Sequence, residues 1–180
     1  EQFIAMRSFI ADNHHRINFT ASGKFDFKHL TPADVGKGAS DLFANRTAYL
    51  IKQTRLNARN PENLPDAFER EALSKFAQNP ELTELYTEYR MNDKQIFRYI
   101  TPIYLEQSCL ACHGEPAGEL DVAGFPRAGL RGGELAGAIS VLIPMGETQL
   151  TLADSRNSLL IFSLVLLVTI LLGSLVLTAR

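Results

Sequence analysis

Hydrophobic and polar positions divide the chain into two unlike parts. Leu159 to Ala179 reads LLIFSLVLLVTILLGSLVLTA, 21 positions without a charge, and Arg180 follows at once. At a rise of about 1.5 Å per residue such a helix is about 31 Å long, the thickness of a bilayer's hydrocarbon core. Fifteen of the 21 are Leu, Ile, Val or Phe. Each favours insertion by roughly 0.3–0.6 kcal/mol, on the order of 5–9 kcal/mol together. Every face is apolar, so the pattern predicts one transmembrane helix over 158–180 and not a core helix. Its C-terminal place excludes a signal peptide. Arg156 and Arg180 flank the run too evenly for the positive-inside rule to orient it.

Upstream, the periods are those of a water-facing domain. Phe3, Met6, Ile10, His14 and Ile17 recur at three- and four-residue steps, which predicts a helix over 2–18. A glycine-containing turn follows at 21–26. Thr31-Pro32-Ala33-Asp34 then starts a helix, with Thr31 as N-cap and Pro32 in its first position. The stretch 39–56 reads as helix followed by strand. A loop at 59–65 leads to Asp66-Ala67-Phe68-Glu69, a capping-box pattern, and Phe68, Ala72, Leu73 and Phe76 form the apolar face of the helix it opens. Asn79-Pro80 ends that helix. Leu82 to Tyr89 is a short helix or a strand, Met91-Asn92-Asp93-Lys94 a hairpin turn, and Gln95 to Tyr104 a strand by its β-branched and aromatic content. A glycine-rich irregular loop spans 114–133, Gly137 to Pro144 is the last strand, and 145–157 is a polar helix entering the span. Helices first and strands later predict an α+β fold. The expected divisions are an N-terminal helical segment (1–38), the main domain (39–150), a juxtamembrane helix (151–157) and the span.

Charge changes the picture little. Eighteen Lys and Arg against 20 Asp and Glu leave a net charge of −2, which excludes a polybasic nucleic-acid binder and an acidic disordered tail. The chain starts at Glu1 without an initiator Met, as after removal of a signal peptide or of an earlier membrane helix.

Chemistry concentrates at Cys109-Leu110-Ala111-Cys112-His113, which holds both cysteines of the chain. Two thiols three apart can add across the two vinyl groups of one haem, and the adjacent imidazole then reaches the iron. Three plainer readings compete. A redox dithiol needs no histidine directly after it, and begins a helix in a βαβ unit. A structural zinc needs four ligands, and only His14, His15 and His29 remain to complete the set. A disulfide between residues three apart is geometrically tight. One covalent haem c on Cys109 and Cys112, with His113 as iron ligand, explains the motif best. Such attachment belongs outside the cytoplasm of a bacterium. It predicts a single-pass protein of the cytoplasmic membrane with residues 1–158 on the periplasmic side.

The order of Arg59-Asn60-Pro61-x-Asn63, Pro65-Asp66-x-Phe68-Glu69, Phe97-Arg98-Tyr99-x-x-Pro102-Ile103, Cys109-Leu110-x-Cys112-His113-Gly114 and Gly137-Ala138-Ile139-Ser140-Val141 resembles the haem-c PAS-like domains. These occur in bacterial chemoreceptors and sensor kinases and as stand-alone proteins. The resemblance covers roughly residues 40–145. It implies a PAS-like antiparallel sheet with flanking helices and one haem on Cys109, Cys112 and His113. Some members are thought to use a further Cys as second axial ligand, and this chain has none to spare.

Several residues are candidates for a second axial ligand. His14, in register with the apolar face of the first helix, leads the candidates. His15, His29 and Met145 follow, and the position can also be vacant, as suits a gas sensor. Met91 and Met6 read as turn and packing residues. Arg59 and Arg98 are candidates for the haem propionates because a guanidinium pairs well with a carboxylate. Tyr99 and Tyr104 are pocket candidates, although strand aromatics are more often core. Two functions fit: a sensor of redox state or of a small ligand, and an electron-transfer or accessory cytochrome subunit of a larger membrane complex. No Ser-His-Asp order, phosphate loop or paired carboxylate points to an enzyme. Expected partners are the membrane, a second copy or a larger membrane complex, and a cytoplasmic transducer, with no nucleic acid.

Overall fold

The computed structural model describes residues 2–92 and 94–178. Glu1, Asp93 of the expected hairpin turn, and Ala179 and Arg180 at the end of the expected span lie outside them. Two compact units are present: Glu1–Glu88 with Phe97–Ile143, and Tyr89–Ile96 with Pro144–Arg180.

In chain order the elements are α1 (Gln2–Asp12), α2 (His14–Ile17), α3 (Pro32–Ala44), β1 (Leu50–Thr54), α4 (Ala67–Gln78), β2 (Leu85–Met91), β3 (Lys94–Tyr104), α5 (Leu110–His113), β4 (Leu135–Pro144) and α6 (Gly146–Thr178). The four strands form one sheet in the order β1-β4-β3-β2. β1 lies antiparallel to β4, from Leu50 opposite Leu142 to Thr54 opposite Ala138. β4 runs against β3. Leu105 N–H, just past β3, donates to Glu134 O just before β4, and Met145 N–H, just past β4, donates to Gln95 O at the start of β3. The expected α+β class is therefore present: an antiparallel sheet flanked by helices, with a long apolar C-terminal helix.

Local chemistry explains most of these elements. Thr31 accepts from Asp34 N–H at the start of α3, with Pro32 in the first position. Asp66 accepts from Glu69 N–H at 2.9 Å while Glu69 Oε2 accepts from Asp66 N–H at 3.1 Å. That reciprocal cap is worth about 1 kcal/mol. The first helix breaks where its apolar period predicts continuity. Asn13 places both its N–H and its Nδ2 on the carbonyl of Phe9, so its side chain competes for the helical bond and α2 restarts at His14. Leu85 to Met91 resolves the ambiguous stretch as a strand, whereas 145–157 and the apolar run merge into one helix. The expected boundary at 38/39 falls inside α3.

The sheet separates two layers. On one face α4 packs Ala72, Leu73 and Phe76 against Ile100 and Ala138, with Phe68, Leu82, Leu85 and Leu135 around them. The same face carries a layer of charge. Lys52 and Arg98 both reach Glu69, at 2.8 and 2.7 Å, and Arg98 Nε donates to Ser140 Oγ at 3.3 Å. Glu69 is fully buried there. Successive strand residues point to opposite faces, so Gln53 beside Lys52 faces α3 and donates to Ala33 O at 3.0 Å. A Cβ at Gly36 would lie 2.7 Å from Gln53 Nε2, so a larger residue there would have to displace the Gln53 amide. α1 packs in turn on α3 and on the turn at 107–109.

In the second unit, α6 holds 33 residues, about 50 Å of helix. Its stretch Ser155–Leu172 makes it the one helix among the described residues long and apolar enough to cross a membrane.

Candidate functional site

β1 and β3 end where β4 begins, and Arg59, Cys109, Cys112 and His113 gather at that end of the sheet. The backbones approach closely: a Cβ at Gly137 would lie 2.4 Å from Thr54 O. Arg55 leaves β1 at this point. After β3 the chain makes a 3-10 turn over Gln107–Cys109 and passes directly into α5. Cys109 has helical angles, φ −74° and ψ −23°. In a helical turn, residues i, i+3 and i+4 share a face. Cys109, Cys112 and His113 therefore stand on one side of a single turn. Gly114 N–H closes the turn on Leu110 O at 2.9 Å, and a Cβ there would come within 2.6 Å of that oxygen.

Both cysteines are free and half-buried. Burial, with the Asp121 carboxylate as the next cause, pushes the Cys112 thiol up, which is opposite to the activated thiolate of a redox dithiol. His113 is pushed down to about 4, first by burial and then by the Arg55 and Arg59 guanidiniums. Its imidazole is thus neutral at pH 7, the form that ligates a metal. Arg55 Nη1 approaches His113 Nδ1 at 3.3 Å.

A groove of about 290 Å³ opens beside Cys109, between α1 and the end of β3. Ile4, Ala11, Pro102, Ile103 and Leu105 supply apolar walls, and Arg7 and Glu106 polar ones. Arg7 Nη1 donates to Pro32 O at 3.0 Å, and Ser8 Oγ donates to Glu106 Oε1 at 2.9 Å.

The loop after His113 is held by Arg59. Its Nη1 meets Asp121 Oδ2 at 2.9 Å, its Nη2 reaches Pro126 O at 2.8 Å and Cys112 O at 3.3 Å, and its guanidinium lies 5.1 Å from the centre of the Phe125 ring. Asp121 is buried and also accepts from the N–H groups of Ala123 and Phe125. Burial alone would raise its carboxyl, but the Phe125 N–H and the Arg59 guanidinium outweigh that and hold it below the usual range.

The other candidates lie as follows. Arg98 is buried on the α4 face, paired with Glu69 and Asp66 at 2.7 and 2.6 Å. Tyr99, next along β3, donates its hydroxyl to Glu84 at 2.9 Å. Tyr104 lines the groove and donates to Pro80 O at 3.4 Å. His14 is half-buried with Nδ1 3.0 Å from Ala11 O, and does not line the groove. His15 and His29 are exposed, the latter against Phe27 at 4.5 Å between ring centres. Met145 belongs to the second unit. Three residues of the site escaped sequence reasoning: Arg7, Arg55 and Asp121. Only Arg7 had a signal, since it interrupts the stripe Ile4, Ser8, Ala11 on α1.

Two free thiols, a neutral imidazole and an apolar groove fit a porphyrin attached through its vinyl groups. A tetrahedral zinc fits less well, because no group of three or more His, Cys, Asp or Glu among the described residues is arranged to hold a metal ion.

Comparison with known proteins agrees with this architecture. The Tll0287-like family model, described as Tll0287, matches residues 1–144. Among solved structures, one described as the crystal structure of the cyanobacterial heme-protein Tll0287 superposes with a TM-score of 0.59 at 24% identity. The match covers 79% of this chain and 88% of that one, and shows the shared fold. Comparison with the curated proteins returned no match. The chain belongs to the Tll0287-like family.

Proposed function

We propose that this protein is a membrane-anchored haem c protein that reports the state of its haem to the membrane helix. The observation that carries this reading is the placement of Cys109, Cys112 and neutral His113 on one side of a single turn beside the groove. In it, Cys109 and Cys112 hold the porphyrin by thioether bonds and His113 ligates the iron. The haem supplies a one-electron couple and a site for diatomic ligands. The polypeptide fixes the thiols on one turn, keeps the imidazole unprotonated and excludes water from one side with the apolar wall of the groove. The described relative being a heme-protein supports the cofactor. Covalent attachment through two thiols supports a periplasmic domain, with α6 as a single-pass anchor in a bacterial cytoplasmic membrane. A second copy or a cytoplasmic transducer would receive the signal.

Connectivity favours sensing over plain electron transfer. β4 is an inner strand of the sheet, and only Met145 separates its last residue from the first of α6. This short connection in sequence supports a path by which a change at β4 would reach the apolar helix.

The test is amide exchange on the full chain in membranes. Reducing the protein, or adding carbon monoxide to the reduced form, should change protection in 138–144. Equal protection in all states, with a clean reversible redox couple, would overturn sensing and favour the accessory cytochrome.

A further inference from the structure

The arginines near the candidate site, or candidates for it from sequence, divide into two kinds. Arg59 is paired with Asp121, and Arg98 with Glu69 and Asp66. Arg7 and Arg55 have no carboxylate within ion-pair distance among the described residues. Arg7 bonds one backbone carbonyl, and Arg55 one imidazole nitrogen. Both are half-buried. Taking a charge out of water without a counter-charge costs several kcal/mol in effective terms. Arg7 sits in the groove with Cys109, and Arg55 touches His113, so the two stand at opposite ends of the thiol–imidazole turn.

From this arrangement we infer that Arg7 and Arg55 are the anion-binding residues of the haem site, and that they receive a carboxylate or small anion between α1 and the turn at 109–113. The inference rests on the haem reading above and assigns its charge partners. Arg59 and Arg98, the two propionate candidates suggested by sequence, already have protein carboxylates. The pairing also suits the chemistry of His113. Arg55 can only donate, so His113 Nδ1 accepts from it. If His113 were to hold a haem iron through its other ring nitrogen, Nδ1 would carry the imidazole proton and face the Arg55 donor. Arg55 then requires a new acceptor, and an anion is the strongest available. Two sources supply that chemistry: the haem's own propionates, or an external anion drawn to the ferric iron.

Arg7→Gln and Arg55→Gln in the full chain separate these sources, with Arg7→Lys and Arg55→Lys keeping the charge. Resonance Raman scattering from the propionate groups reads the first, and azide titration of the ferric protein the second. A shifted propionate band in the Gln variants, with partial recovery in the Lys variants, establishes the propionates as the occupant. An azide affinity reduced at least about tenfold establishes an external anion. Unchanged propionate bands and azide affinity in all four variants, with haem content equal to wild type, overturn the inference alone. A wild-type chain without haem overturns the haem reading and this inference with it.

Discussion

Arg55 and His113, 58 positions apart, meet through Nη1 and Nδ1 at 3.3 Å. The contact ties the end of β1 to the last residue of the Cys109–His113 motif and fixes the imidazole tautomer, because a guanidinium has no lone pair to offer. Without a metal, the proton of His113 is therefore on Nε2. Replacing Arg55 with Gln removes a nearby positive charge, so the His113 pKa in the cofactor-free chain should rise from about 4. It should stop short of 6.5, because burial is the larger cause. NMR titration of the imidazole protons reads both the shift and the change of tautomer.

Acid should destabilise the cofactor-free chain in a defined window. His113 titrates near 6.5 when unfolded and about 4 when folded, so between those values the unfolded chain binds more protons. Stability then falls as pH drops from about 6.5 to about 4, by on the order of 3 kcal/mol, and this group adds nothing further below that. Asp121, whose carboxyl is depressed in the folded chain, acts in the same direction as pH falls through the carboxylate range. Thermal melts of the wild type and of His113→Ala should diverge between pH 7 and 5, with the variant losing less.

Glu69 is the most exacting position of the α4 face. Its two oxygens take Lys52 and Arg98 separately, and its side chain has no exposure. Glu69→Ala leaves Arg98 buried without its main counter-charge and removes half of the capping box. We expect a loss of about 3–5 kcal/mol, read as a lowered denaturation midpoint. Asp66 still faces Arg98, which holds the cost towards the lower end.

Asp121 organises the loop after the motif through Arg59 and two backbone N–H groups. Asp121→Asn keeps the shape and removes the charge. Arg59 is 37% exposed, so water screens part of the pair and the expected cost is about 2 kcal/mol. The readout that separates this from a uniform loss is local: amide protection should fall at Ala123 and Phe125 and remain in α4.

The parts of the fold legible in the sequence are those whose causes are local. Thr31-Pro32 and Asp66–Glu69 announce their helices within four residues, and both caps are present. The expectation at Cys109, Cys112 and His113 likewise came from residues within one turn. What escaped depends on contacts between distant positions. Arg59 and Asp121 are 62 apart, Arg98 and Glu69 are 29 apart, and Arg55 and His113 are 58 apart. An arginine that pairs with a carboxylate in another element looks, in sequence, like one poised for a ligand. The first helix shows a different cause: its apolar period reads as unbroken, and Asn13 breaks it.

Attachment of the porphyrin to Cys109 and Cys112 is the claim on which the functional account stands, and the intact mass of the full chain tests it most directly. The chain is to be made in a bacterium able to mature c-type cytochromes and extracted with acidified acetone. The account predicts a polypeptide heavier by one haem after extraction, with the added mass lost in the double substitution of Cys109 and Cys112 by Ser. A colourless polypeptide of unmodified mass, or pigment passing entirely into the acetone, would contradict it.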